Sequence, residues 1–189
     1  MTSDTFKRTA FNVAAAAVVS LATFSVPGAL SAQDGWSVNR AEGMEAEAKG
    51  LEDQRHEWGK AAWLYRSAAS LRPAGDPEAV DDLQMAGKLA WYTEDYTQAL
   101  KDLENAATRA MEGGDVFTAA NLLVDAAWVA TRTGQPAKAH ALTRTAQIHA
   151  SSPVLSDQVR SQVTDRVIDL TELETQVAAA ISQAGGSER

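Results

Sequence analysis

Small and apolar residues recur at steps of three and four along most of this chain, in runs separated by short polar breaks, a helical period throughout. The clearest run is Gly87 to Ala107, GKLAWYTEDYTQALKDLENAA. It predicts two helices folded back on each other across the polar turn Thr93-Glu94-Asp95. Ala99, Leu103 and Ala106 fall at i, i+4 and i+7 on one helix face, and Gly87 offers a flat spot for close approach on the other helix.

The same grammar extends in both directions. From about Arg40 the spacing of Ala41, Met44, Ala48 and Leu51 predicts a first helix, preceded by a polar lead-in over Gln33 to Asn39. After the turn at 52–59, Lys60 to Leu71 predicts a second helix with Ala61, Tyr65 and Ala68 on one face. Pro73 and Gly75 end it, and Asp76-Pro77 reads as an N-cap with proline in the first helical position. A second pair runs from Pro77 to Met111, with Leu83, Ala86, Gly87 and Ala90 inward, and Gly113-Gly114 closes it. Asp115 caps a third pair, whose inner faces carry Ala119, Leu123, Ala126, Ala127 and Ala130, then Ala139, Thr143 and Ala146. Ser151-Ser152-Pro153 ends it.

The anchor alanines Ala61, Ala99 and Ala139 are spaced 38 and 40 apart, and the stops Pro73, Gly113 and Pro153 are 40 apart. Such a period means stacked helical hairpins. The motif Ala61-Tyr65-Ala68-Pro73, with Gly87, Asp95-Tyr96 and Ala99 in the middle pair, resembles the tetratricopeptide repeat family. The family period is shorter, Thr143 stands where a bulky residue is usual, Ala127 where glycine is common, and the first helix lacks the expected aromatic. The resemblance implies an all-α, right-handed superhelix of about three antiparallel hairpins, over 40–75, 76–114 and 115–153; an unrelated helical bundle is the alternative. Val154 to Ala184 follows as one amphipathic segment with Val159, Val163, Val167, Leu170, Leu173, Val177 and Ile181 at helical steps. It reads as a capping helix over the last hairpin. At roughly 42 Å for about 28 residues it is longer than one hairpin requires, which leaves a surface for a second copy of the chain.

By the same resemblance the first helix of each hairpin lines a concave groove. The implied groove residues are Gln84, Lys88, Trp91 and Tyr92 on one helix and Asn121, Val124, Trp128, Thr131 and Arg132 on the next. The function implied is a non-catalytic protein-protein interaction scaffold that captures a segment of another protein, with the aromatics as anchors. The competing reading of Trp91 and Trp128 is that they fill space between hairpins. Trp58, Trp63 and Tyr65 are assigned to packing. Lys88, Asn121 and Arg132 make only an incomplete version of the family's carboxylate clamp, so none is expected.

Charge and composition narrow the class further. The formal net charge is −8 over 189 residues, with no basic cluster, which disfavours nucleic acid as a partner. Thr9 to Gln33 carries no charge, Lys7-Arg8 precedes the apolar run, and Ala29-Leu30-Ser31-Ala32 supplies small residues: the layout of a secretory signal over 1–32, cut after Ala32. The protein is then exported, periplasmic or secreted, with no integral membrane segment after cleavage; an uncut membrane anchor is the alternative. There is no cysteine, hence no disulfide and no thiol nucleophile. His140 and His149 lie nine apart, half a turn out of phase, and His56 has only Glu52 and Asp53 near it, too few ligands for zinc. No phosphate loop, Gly-x-Ser-x-Gly elbow or His-Glu-x-x-His pair occurs, so neither catalysis, a metal nor a cofactor is expected.

Overall fold

The computed structural model describes residues 27–186, and among these it holds seven α-helices, one 3-10 turn and no strand. The helices are α1 (Pro27–Leu51), α2 (Trp58–Leu71), α3 (Pro77–Tyr92), α4 (Tyr96–Glu112), α5 (Val116–Arg132), α6 (Pro136–Ala150) and α7 (Asp157–Gly186), with the 3-10 turn at Arg55–Glu57 before α2. Each packs on the next from α1 to α6, and α7 lies across both α5 and α6. The signal assigned to 1–32 lies, up to residue 26, outside the described residues.

The largest differences from the sequence reading are where α1 and α7 begin. α1 begins at Pro27, so the lead-in at Gln33 to Asn39 is helical. α7 begins at Asp157 and not Val154, because Ser156 takes the cap: its Oγ accepts from the Val159 N–H at 3.4 Å and its carbonyl from the Arg160 N–H at 2.9 Å.

The turns draw on two shared devices. Asp76, Asp95 and Asp115 each accept a hydrogen bond from a backbone N–H of the helix they start, those of Glu78, Gln98 and Thr118. Glu94, Gly114 and Gly134, spaced by 20, all have positive φ, and the N–H after each returns to the carbonyl five residues back, Ala90, Ala110 or Ala130, at 2.9 Å. Asp76 follows a different turn, where Gly75 (φ 74°) lies against Gly113. A Cβ on Gly75 would sit 2.8 Å from the Gly113 backbone, so only glycine lets this loop reach the end of α4.

The core follows from a four-place stripe at i, i+4, i+7 and i+11, repeated helix by helix. In α3 it is Ala79, Leu83, Ala86 and Ala90; in α4 Ala99, Leu103, Ala106 and Ala110; in α5 Ala119, Leu123, Ala126 and Ala130; in α6 Ala139, Thr143, Ala146 and Ala150. All sixteen are buried, and the repeat is 20 residues, one helix and one turn. Alanine at three of the four places of every stripe lets backbones approach closely, while the second place supplies bulk. α7 continues the stripe with Val163, Val167 and Leu170 buried against α5 and α6, and turns Thr164, Asp165, Thr171, Glu172 and Thr175 to solvent.

Two polar side chains inside the packing are paired. Tyr65 Oη of α2 donates to Glu52, just past the end of α1, and Thr143 Oγ1 donates to Glu174 Oε1 at 3.1 Å across α6 and α7. Burial, reinforced by Glu52, pushes the Tyr65 hydroxyl well above the usual phenol range.

Candidate interaction site

α3 and α5 meet through their tryptophans. The rings of Trp91 and Trp128 are 4.7 Å apart between centroids and tilted by 57°, and Trp91 also meets Tyr96 at 4.8 Å. Both tryptophans are half-buried and pack on the main core. Beside them opens a cleft of about 320 Å³, lined on the α3 side by Gln84, Gly87, Lys88, Trp91 and Tyr92 and on the α5 side by Asp125, Trp128 and Val129. Leu103 of α4 is its floor, and the same leucine meets the flat face of Gly87.

The aromatic contacts extend beyond the cleft. Tyr92 is exposed and packs on Trp58 at 5.4 Å, Arg55 stacks over Trp58 at 5.7 Å, and Arg132 stacks over Trp128 at 5.3 Å. A guanidinium therefore closes each end of an aromatic strip that runs from the start of α2 to the end of α5. Trp58 is fixed in it by its indole N–H, which donates to the Glu52 carbonyl at 2.6 Å.

A second cleft of about 430 Å³ lies between α5 and α7, lined by Val124, Asp125, Trp128, Arg166, Asp169, Leu170 and Leu173. Asp125 and Trp128 belong to both clefts and form the ridge between them. Arg166 ties α7 to that ridge: Nη1 donates to Asn121 Oδ1 and Nη2 to Asp125 Oδ1, each at 2.5 Å.

The residues selected from sequence thus separate into three groups. Gln84, Lys88, Trp91, Tyr92 and Trp128 meet in the first cleft, and Val124 lines the second. Asn121 holds Arg166, and Arg132 covers Trp128 from outside the cleft lining. Thr131 is buried and its Oγ1 donates to the Ala127 carbonyl at 2.9 Å, which places it within the packing of α5. Sequence reasoning passed over Asp125, Arg166 and Asp169. They are polar residues flanking the apolar stripes of α5 and α7, and their meeting shows only once α7 is known to lie on α5. Of the aromatics assigned to packing, Tyr65 is buried and Trp58 half-buried, but Trp63 is 54% exposed.

A separate polar cleft of about 370 Å³ lies between α2 and α4 over the buried Asp102. Gln98 Nε2 donates to Asp102 Oδ1 at 2.7 Å, and Arg66 Nε is 3.1 Å from Oδ2 but off the hydrogen-bond line. Burial raises the Asp102 carboxyl above its ordinary range, against the pull of these partners. Among the described residues no group of three His, Asp or Glu side chains is placed to hold a metal ion, and no helix is long and apolar enough to cross a membrane.

No family model, curated protein or solved structure matches the chain.

Proposed function

We propose that this protein is a non-catalytic interaction scaffold, a tetratricopeptide-like solenoid of three hairpins and a terminal helix, that holds a segment of another protein in the groove formed by α3, α5 and α7. The observation that carries the reading is the single cleft formed by Gln84, Lys88, Trp91, Tyr92 and Trp128, which come from two helices and pair apolar ring surface with open polar heads. The helix-by-helix stripe, with a solvated outer face on α7, supports an array that ends at this helix. We place the protein outside the cytoplasm, on the charge-free run at 9–33 behind Lys7-Arg8.

Selection of a random displayed peptide library on the intact chain tests the binding role. The enriched peptides are expected to protect amides of α3 and α5 in hydrogen exchange and to lose affinity for Tyr92→Ala, whose ring is largely outside the core. Protection confined to other helices, or affinity indifferent to Tyr92→Ala, rejects the groove. N-terminal sequencing of chain exported from a native expression host is expected to read from Gln33.

A further inference from the structure

The two clefts form one trough across α3, α5 and α7, and its charges are not equivalent. Asp125 and Arg166, on the central ridge and its α7 side, are spent on each other and on Asn121. Lys88, on the α3 wall, and Asp169, on the α7 wall, are both exposed, and neither has an ion-pair partner among the described residues. The trough therefore carries an open cation at one end, an open anion at the other, and apolar surface between: Trp91 and Trp128 in one basin, Val124, Leu170 and Leu173 in the other.

We propose that the trough reads direction: it takes an extended peptide segment with an acidic residue against Lys88 and a basic residue against Asp169, with apolar side chains in the two basins. This rests on the interaction-site reading above and adds the partner's chemistry to it. The trough runs from α3 across α5 to α7, so the two charges of the ligand stand several residues apart along an extended segment. The ridge at Asp125 and Trp128 divides the trough into separate basins, which suits alternate side chains of an extended strand better than the continuous face of a helix. Reversed, the same segment would set its acid against Asp169 and its base against Lys88, and like charges across an interface suppress that register. A second copy of the chain is the less favoured occupant, because each carries a net charge of −8 and the two repel.

The test uses the full chain and its double charge swap, Lys88→Glu with Asp169→Lys, both at exposed sites, with helicity and Tm checked first. A random twelve-residue displayed peptide library is selected on each. The parent is expected to enrich one order of acidic and basic residues around an apolar centre, and the swapped chain the opposite order. Synthetic copies of the parent's peptides are expected to bind the swapped chain about tenfold or more weaker. Enriched peptides without ordered charges, or with equal affinity for both chains, overturn directional reading while leaving the interaction site intact. No enrichment on either chain removes both. A self-associating parent whose dimer is dissolved by the swap assigns the trough to a second copy and overturns the proposal.

Discussion

Arg72, the residue that ends α2, donates from Nη2 to Glu45 Oε2 of α1 at 2.7 Å. The same guanidinium donates from Nε to Asp82 Oδ2 of α3 at 3.2 Å and from Nη1 to Glu78. The Arg72 and Pro73 carbonyls in turn accept from Arg109 of α4, at 3.3 and 2.9 Å. One residue at the end of α2 thus joins four helices. Arg72→Met leaves the buried Asp82 without the guanidinium it accepts from, although Lys49 still offsets Glu45, and is expected to cost about 3–5 kcal/mol. Urea unfolding reads this as a lower midpoint at unchanged slope.

Asp82 gives the same cluster a pH signature. Burial, and then the Glu45 charge, push its carboxyl up to about 6, against the opposing pull of Arg72. The folded chain therefore holds a proton between about pH 4 and 6 that the unfolded chain has released, so this contribution to stability is full below about pH 4 and is lost as pH rises through 6. Asp82→Asn mimics the protonated form at every pH. Its Tm relative to the parent is expected to be more favourable at pH 7 than at pH 4, and a pH-independent difference would refute the assignment. Glu45 acts in the opposite sense: Lys49, then Arg72, lower its carboxyl, so its contribution is present above the ordinary carboxylate range and is lost in acid.

Gly87 and Gly43 are both helical glycines, and alanine at the two sites should have opposite effects. A Cβ on Gly87 would stand 3.1 Å from Leu103 Cγ and 3.3 Å from the Ala99 carbonyl oxygen. The leucine can turn, but the carbonyl belongs to the α4 backbone and can move only with its helix. The overpacking cost, about 1–3 kcal/mol, exceeds the helix-propensity gain of up to about 1 kcal/mol. Gly87→Ala is expected to destabilise by about 1 kcal/mol. Nothing lies within 4 Å of a Cβ on Gly43, so Gly43→Ala is expected to stabilise by about 0.5–1 kcal/mol. Thermal melts of the two variants decide it.

Arg166→Ala removes the polar tie between α7 and the ridge. Both partners of the Arg166–Asp125 pair are about two-fifths exposed, so the expected global loss is small, within about 1 kcal/mol. The local effect is the informative one. Amide exchange in the middle of α7 is expected to speed up while α3 and α4 stay protected, because Val163, Val167 and Leu170 still hold the helix on α5 and α6.

The sequence by itself determined the helices, their turns and their inner faces, because these follow from spacings shorter than one helix. Ala99, Leu103 and Ala106 share a side of α4 wherever that helix is placed, and Asp76 and Asp115 cap through backbone groups two or three residues away. Gln84, Lys88, Trp91 and Tyr92 were legible for the same reason, since the phase of a single helix puts them on one flank of α3. Measured over hairpins, the repeat reads as 38 and 40; the unit of 20 emerges only when each helix's buried positions are known.

Tertiary structure decided which flanks meet. α5 is covered by α4, α6 and α7 together, so positions beside its inner stripe also face a neighbour: Thr131 goes into the packing, Asn121 to Arg166, and Val124 to the second cleft. Arg166 and Asp169 join the trough from about 40 residues of sequence beyond Asp125 and Trp128. Periodicity carries no record of that distance: it sets a side chain's angle about its own axis, and the choice of neighbouring axis is made by the packing of whole faces.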